Sequence, residues 1–214
     1  MYQADLALFR SVREETLKTA DSLSQEQSEF TPAPGRWSAG EVLDHLLLSE
    51  RLYRGKFTRL IELAKAGKRP VLRSSFSEID TSVLFIPRSV LPLLDIPFSV
   101  FNMFVPGFVR ELLSEYRLLP AQNPGIAKPR KGRPVVDLRG ELRSSLAETE
   151  ALFESNRDSD YRQMRFSHPL MGDNNALEVL RIMAMHERRH QSQMRDVLRS
   201  RGFPAKADAA AADG

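Results

Sequence analysis

The chain has 214 residues, 42% of them hydrophobic and 28% charged, with a formal net charge of +3 and a pI near 9.3. That length suits one substantial core, and the mild basicity, with cations spread among acids, argues against a nucleic-acid-binding surface. Cysteine is absent, which excludes disulfides, thiolate nucleophiles and sulfur-ligated metals and leaves histidine and carboxylates as the ligand stock.

The N-terminal stretch MYQADLALFRSVREE is charged and amphipathic, without the apolar core of a signal peptide, so a cytoplasmic location is expected. Residues 4–23 place Leu6, Phe9, Val12, Leu17, Ala20 and Leu23 at helical spacing with charges between them. The Pro- and Gly-rich break Phe30 to Arg36 follows. A second helix is expected from Trp37 or Ser38, because Ser38 and Glu41 spell a capping box. Val42, Leu46, Ser49, Tyr53, Phe57, Leu60 and Ala64 run down one face of it until Gly67 and Pro70.

Residues 136–156 read as a third helix, striped by Leu138, Leu142, Leu146, Thr149, Leu152 and Phe153, with Asp137 as its cap. The fourth runs from Asn174 or Asn175 to about Arg201, and its first half, ALEVLRIMAM, is apolar on nearly all sides and should be deeply buried. No segment alternates as an amphipathic strand does. The domain expected is 1–204, and the low-complexity tail 205–214 is expected to be disordered.

Between the second and third helices lies a Pro-rich connection over about 68–135, too long for a simple loop. Its apolar part, 83–119, includes an uncharged run from Ile96 to Val109 that is shorter than a bilayer span and broken by Pro106. A cap over the bundle end, a dimer surface and a peripheral membrane foothold are the three readings. The local cluster Lys128, Arg130, Lys131 and Arg133 reads plainly as a solvated loop, and more sharply as a phosphate site.

The chemistry concentrates in the fourth helix at His186-Glu187-Arg188-Arg189-His190. Histidines four apart share one helix face and can grip one metal ion. Met183, Met194 and Val197 lie on the same stripe, so both imidazoles are expected to point inward. His45 lies on the inward stripe of the second helix, and two facing helices can supply three imidazoles to one point in a bundle. Three neutral nitrogens leave a position open, as reactive metals need. The spelling His-Glu-x-x-His is also that of zinc peptidases, with the glutamate as general base. That reading fails for want of a third ligand downstream of His190 and of candidate strands. Glu187 is then a candidate catalytic group only if it reaches the site, and a structural ion-pair partner of Arg188, Arg189 or another helix otherwise. Gln193, one turn beyond His190, could bond a ligand or the second nitrogen of a histidine. His168 precedes Pro169 in a loop and is either a turn residue or a lining of the cleft. Trp37 and Glu41 read as packing and capping residues.

The blocks GRWSAGEVLDHLLLSE and HPLMGDNNALEVLRIMAMHERRHQSQM resemble the two motif blocks of the DinB/YfiT-like metalloprotein superfamily. The resemblance implies an all-α, four-helix bundle, in such proteins often running up-down-down-up, an order that fits the long, partly helical insertion read between helices two and three. It implies a divalent metal, zinc or nickel among others, held by His45, His186 and His190. It further implies a small-molecule substrate, a low-molecular-weight thiol as cosubstrate in an S-transferase-like reaction, and a homodimer. A non-catalytic binding or stress-associated module with a structural metal, and a metal-dependent hydrolase, use the same ligands.

Overall fold

The computed structural model describes residues 2–73, 127–168 and 172–205, and of His168 the backbone alone. Four long helices carry the fold: α1 (Gln3–Ser22), α3 (Ala39–Lys65), α4 (Val135–Glu154) and α5 (Ala176–Leu198). A short α2 (Gln25–Glu29) sits in the turn after α1. The segment read as a cap, a dimer surface or a membrane foothold, 83–119, and the tail beyond 205 lie outside the described residues.

Helix starts follow local chemistry. Ser38 accepts from the Glu41 amide at 3.1 Å while the Glu41 side chain accepts from the Ser38 amide, as the sequence pattern predicts. Asn175 and Glu178 repeat the reciprocal arrangement at α5, and Ser24 with Gln27 at α2. At α4 the expectation is corrected: Pro134 precedes the helix with no side-chain cap, and Asp137 sits inside the first turn. There its charge still complements the positive end of the helix dipole. Gly67, at φ +66°, takes the left-handed conformation that ends α3.

Cross-helix pairs fix the directions. Asp5 meets Arg181, and the Val12 carbonyl and Thr16 meet Gln191, so α1 and α5 run together. Arg51 meets Glu141 and Arg54 meets Ser145 and Thr149, so α3 and α4 run together. Tyr2 meets Glu154 and Asp21 meets Arg143, which sets α1 against α4. The bundle therefore runs up-down-down-up.

The core has two halves. At one end Tyr2, Phe57, Phe153, Tyr161 and Phe166 pack edge and face, with Phe57 5.3 Å from both Phe153 and Phe166. At the other, Leu17, Ala20, Val42, Leu43, Leu46, Leu47, Leu138, Leu142 and Met194 close around the start of α3. Gly40 belongs to that second end. A Cβ there would stand 2.6 Å from Ser28 Oγ and 3.0 Å from the Ser28 carbonyl oxygen, so only glycine lets α2 lie this close to α3.

Between the two halves the interior is polar. Arg13 is buried and donates to Glu187 (Nε to Oε1, 2.7 Å; Nη2 to Oε2, 3.0 Å), to Glu50 Oε2 (2.6 Å) and to the Leu142 carbonyl (3.2 Å). Thr149 donates to the other Glu50 oxygen at 2.7 Å. One guanidinium thus ties all four long helices. Burial works against its charge, but the two carboxylates outweigh that and raise its pKa above the ordinary value.

The expectation of no strands is overturned. Val71–Arg73 (β1), Arg165–His168 (β2) and Gly172–Asn175 (β3) form a small sheet, β1 parallel and β3 antiparallel to β2. Strands of three or four residues are too short to display a period of two, and β3 reads Gly-Asp-Asn-Asn, a turn-like composition. What holds the sheet is backbone pairing plus Phe166, whose ring enters the core against Phe57.

Candidate metal centre

His45 lies near the start of α3, and His186 and His190 lie one turn apart on α5. α3 and α5 pack antiparallel, which brings all three imidazoles to one place. His45 Nε2 is 3.3 Å and His190 Nε2 is 3.1 Å from His186 Nε2, and one ligand atom from each residue falls within a 4.8 Å group. His45 and His190 are buried and His186 is half-buried.

The outward nitrogens settle which way the lone pairs face. His45 Nδ1 lies 2.8 Å from the Ala127 carbonyl oxygen, which can only accept, so the proton is on Nδ1. His190 Nδ1 donates to Gln193 Oε1 at 2.9 Å. With its proton on Nδ1, a neutral ring at either position presents its Nε2 lone pair toward His186 Nε2. Three imidazoles that bring their Nε2 atoms to one point form a donor set that fits a shared divalent cation. Burial lowers the His45 pKa against the opposing influence of Ala127 and Asp44. Burial, then the neighbouring His190 and His45, push His186 well below the ordinary imidazole value. These two rings are neutral at pH 7, the form that ligates a metal.

Around the ligand atoms the surroundings are mixed. Trp37 stacks near parallel to His190, 18° at 6.1 Å, and tilts over His45 at 5.2 Å, so it packs against two of the three rings. Ser49 Oγ is 3.3 Å from His45 Nε2 and half-buried. Ser49 falls on the inward stripe of α3, so periodicity alone brings it here.

Glu187 faces elsewhere. It is buried, and both carboxylate oxygens are bonded to Arg13 on α1; its partner is neither Arg188 nor Arg189. His168 closes β2, paired with Gly172, where a loop was expected; its side chain lies outside the described residues. Two functional neighbours were not foreseen. Asp44, wholly enclosed beside His45, binds Arg130 and Arg133, and Ala127 supplies the carbonyl on His45. Burial pushes the Asp44 carboxyl up, but hydrogen bonds from Arg130 and Arg133 outweigh it and hold its pKa below the ordinary carboxylate range.

A surface recess of about 350 Å³ is lined by Arg188, Arg189, Gln191, Ser192 and Arg195, and none of the three histidines lines it. Among the described residues no helix is long and apolar enough to cross a membrane. A family model described as the DinB superfamily matches residues 8–194. Neither the curated proteins nor the solved structures contain a match.

Proposed function

Because the chain belongs to the DinB superfamily, we propose that it is a metal-dependent transferase that activates a small-molecule thiol at His45, His186 and His190. The observation that carries this reading is the convergence of three Nε2 atoms, two of them fixed as lone-pair donors by bonds at Nδ1. A divalent cation there would supply the positive charge that lowers the pKa of a thiol at its open position.

The chain's own residues do the rest. The histidines hold the cation, Ala127 and Gln193 fix the rings, and the half-buried Ser49 hydroxyl offers a hydrogen bond beside the ligand nitrogen of His45. Trp37 covers the His45 and His190 rings. No carboxylate joins the three histidines among the described residues, and Glu187 is occupied by Arg13. With no carboxylate at the three histidines among the described residues, a group that ionises readily is favoured over water, and a thiol of pKa about 8.5 needs far less help. This favours transfer over hydrolysis. Zinc or nickel suits the imidazole set, with a homodimer as the assembly.

Metal analysis of the purified chain, followed by a panel of thiols against the cobalt-substituted protein, tests this. The expected result is one divalent ion per chain, a thiol-dependent change in the cobalt absorption and transfer to a model electrophile. A chain that takes up no divalent metal at pH 7 would sink the site. Uptake without any thiol response would leave the hydrolytic or structural alternatives.

A further inference from the structure

The basic stretch Lys128 to Arg133 is the one local charge cluster in the sequence, and the structure turns two of its arginines onto a single carboxylate. Asp44 precedes His45 on α3, and its side chain is 0% exposed. It accepts from the Arg130 backbone amide at 2.7 Å, from Arg130 Nη2 at 3.1 Å and Nε at 3.4 Å, and from Arg133 Nη1 at 2.8 Å. Arg133 also binds Glu141, which in turn binds Arg51. Upstream of Arg130 in the same loop, the Ala127 carbonyl accepts from His45 Nδ1. Two adjacent residues of α3 are thus tied to two points of one loop.

We propose that Asp44, Arg130 and Arg133 form a clamp that holds the Ala127 carbonyl on His45 Nδ1 and so fixes which His45 nitrogen is free to bind a metal. These are positioning residues, and the stretch is not a phosphate site. The Arg133 side chain, 16% exposed, is already shared between two carboxylates, and Arg130 spends its backbone amide as well as its guanidinium on Asp44. A carbonyl cannot donate, so while it faces Nδ1 the proton stays there. Once the loop lifts, the proton is free to move to Nε2, where it blocks the lone pair that points at His186. Arg133 matters more than Arg130, because an exposed pair contributes little while an enclosed carboxylate must keep its donors.

The consequence for metal affinity rests on the metal reading above, whereas the clamp is a property of the chain without metal. The test therefore has two readouts on the full-length protein. Histidine labelled with 15N, with His45 assigned through His45→Gln, reports the tautomer in the metal-free chain. Cobalt(II) titration reports affinity. Asp44→Asn and Arg133→Ala are compared with Arg188→Ala, an exposed α5 arginine, as control, with circular dichroism confirming that each folds. The expected result is that His45 loses its single Nδ1-protonated signature in both clamp variants and that cobalt binds about ten- to hundredfold more weakly, while the control changes neither. An unchanged His45 signature in both folded variants overturns the clamp whatever cobalt does. A changed signature in a chain that takes up no cobalt sinks the metal reading and upholds the clamp.

Discussion

Arg13 and Glu187 meet side by side in the centre of the bundle, with both guanidinium-to-carboxylate bonds at 3.0 Å or less, one residue from His186. The glutamate of the His-Glu-x-x-His spelling is thus consumed by an ion pair to α1. Its pairing locks the face of α5 that carries the histidines, because the two groups leave the helix about 100° apart.

Removing that carboxylate should unfold more than it inactivates. Glu187→Ala leaves Arg13 enclosed with Glu50 as its one carboxylate partner among the described residues, and breaking a buried pair from one side costs about 3–5 kcal/mol. Denaturant unfolding of the metal-free chain measures it. A variant of wild-type stability with abolished activity would return Glu187 to the role of base.

Each of His45→Ala, His186→Ala and His190→Ala should abolish stabilisation by added metal. At a free metal concentration a hundred times Kd, binding contributes about 2.7 kcal/mol, a rise of roughly 5–10 °C in Tm for a chain of this size. Scanning calorimetry with and without zinc reads it directly. A variant that keeps the full rise is not missing a ligand.

The acid limb of stability should carry the signature of Asp44. Its folded pKa is depressed, so its contribution is fully present above the unfolded value of about 3.9 and is lost as pH falls through the folded value. Glu141, whose burial is outweighed by Arg133 and Arg51, acts in the same direction. Asp44→Asn should therefore flatten the fall of unfolding free energy below about pH 4, while lowering stability at pH 7. Equal slopes in the two chains would contradict the assignment.

Gly40→Ala should destabilise by about 1–3 kcal/mol, the usual cost of overpacking, since its Cβ would meet both the hydroxyl and the backbone of Ser28. Gly55→Ala, where a Cβ meets nothing within 4 Å, should be neutral or mildly stabilising through helix propensity. Paired denaturation curves distinguish them.

The long helices and the meeting of His45, His186 and His190 were legible because each residue sits on an apolar stripe of period 3.6. The buried charges obey the same period. Arg13 falls between Phe9 and Thr16, Glu50 between Leu46 and Phe57, and Glu187 between Met183 and Met194. Reading charge as solvent-facing hid them, since a stripe identifies a face and not what pairs across it. The clamp was hidden for another reason: Asp44 and Arg133 are 89 residues apart, and no local pattern reports a contact across a crossover. The strands escaped because pairing in so short a sheet is a backbone property that side-chain periodicity does not encode.

The parallel course of α3 and α4 sets a minimum for the chain between them. At 1.5 Å per residue, α3 (27 residues) is about 40 Å long, and an extended return over that distance takes roughly 12 residues. Residues 66–134 far exceed that length. Connectivity alone therefore asks for only a small part of that stretch, and its Ala127 to Arg133 end is spent instead on Asp44 and His45.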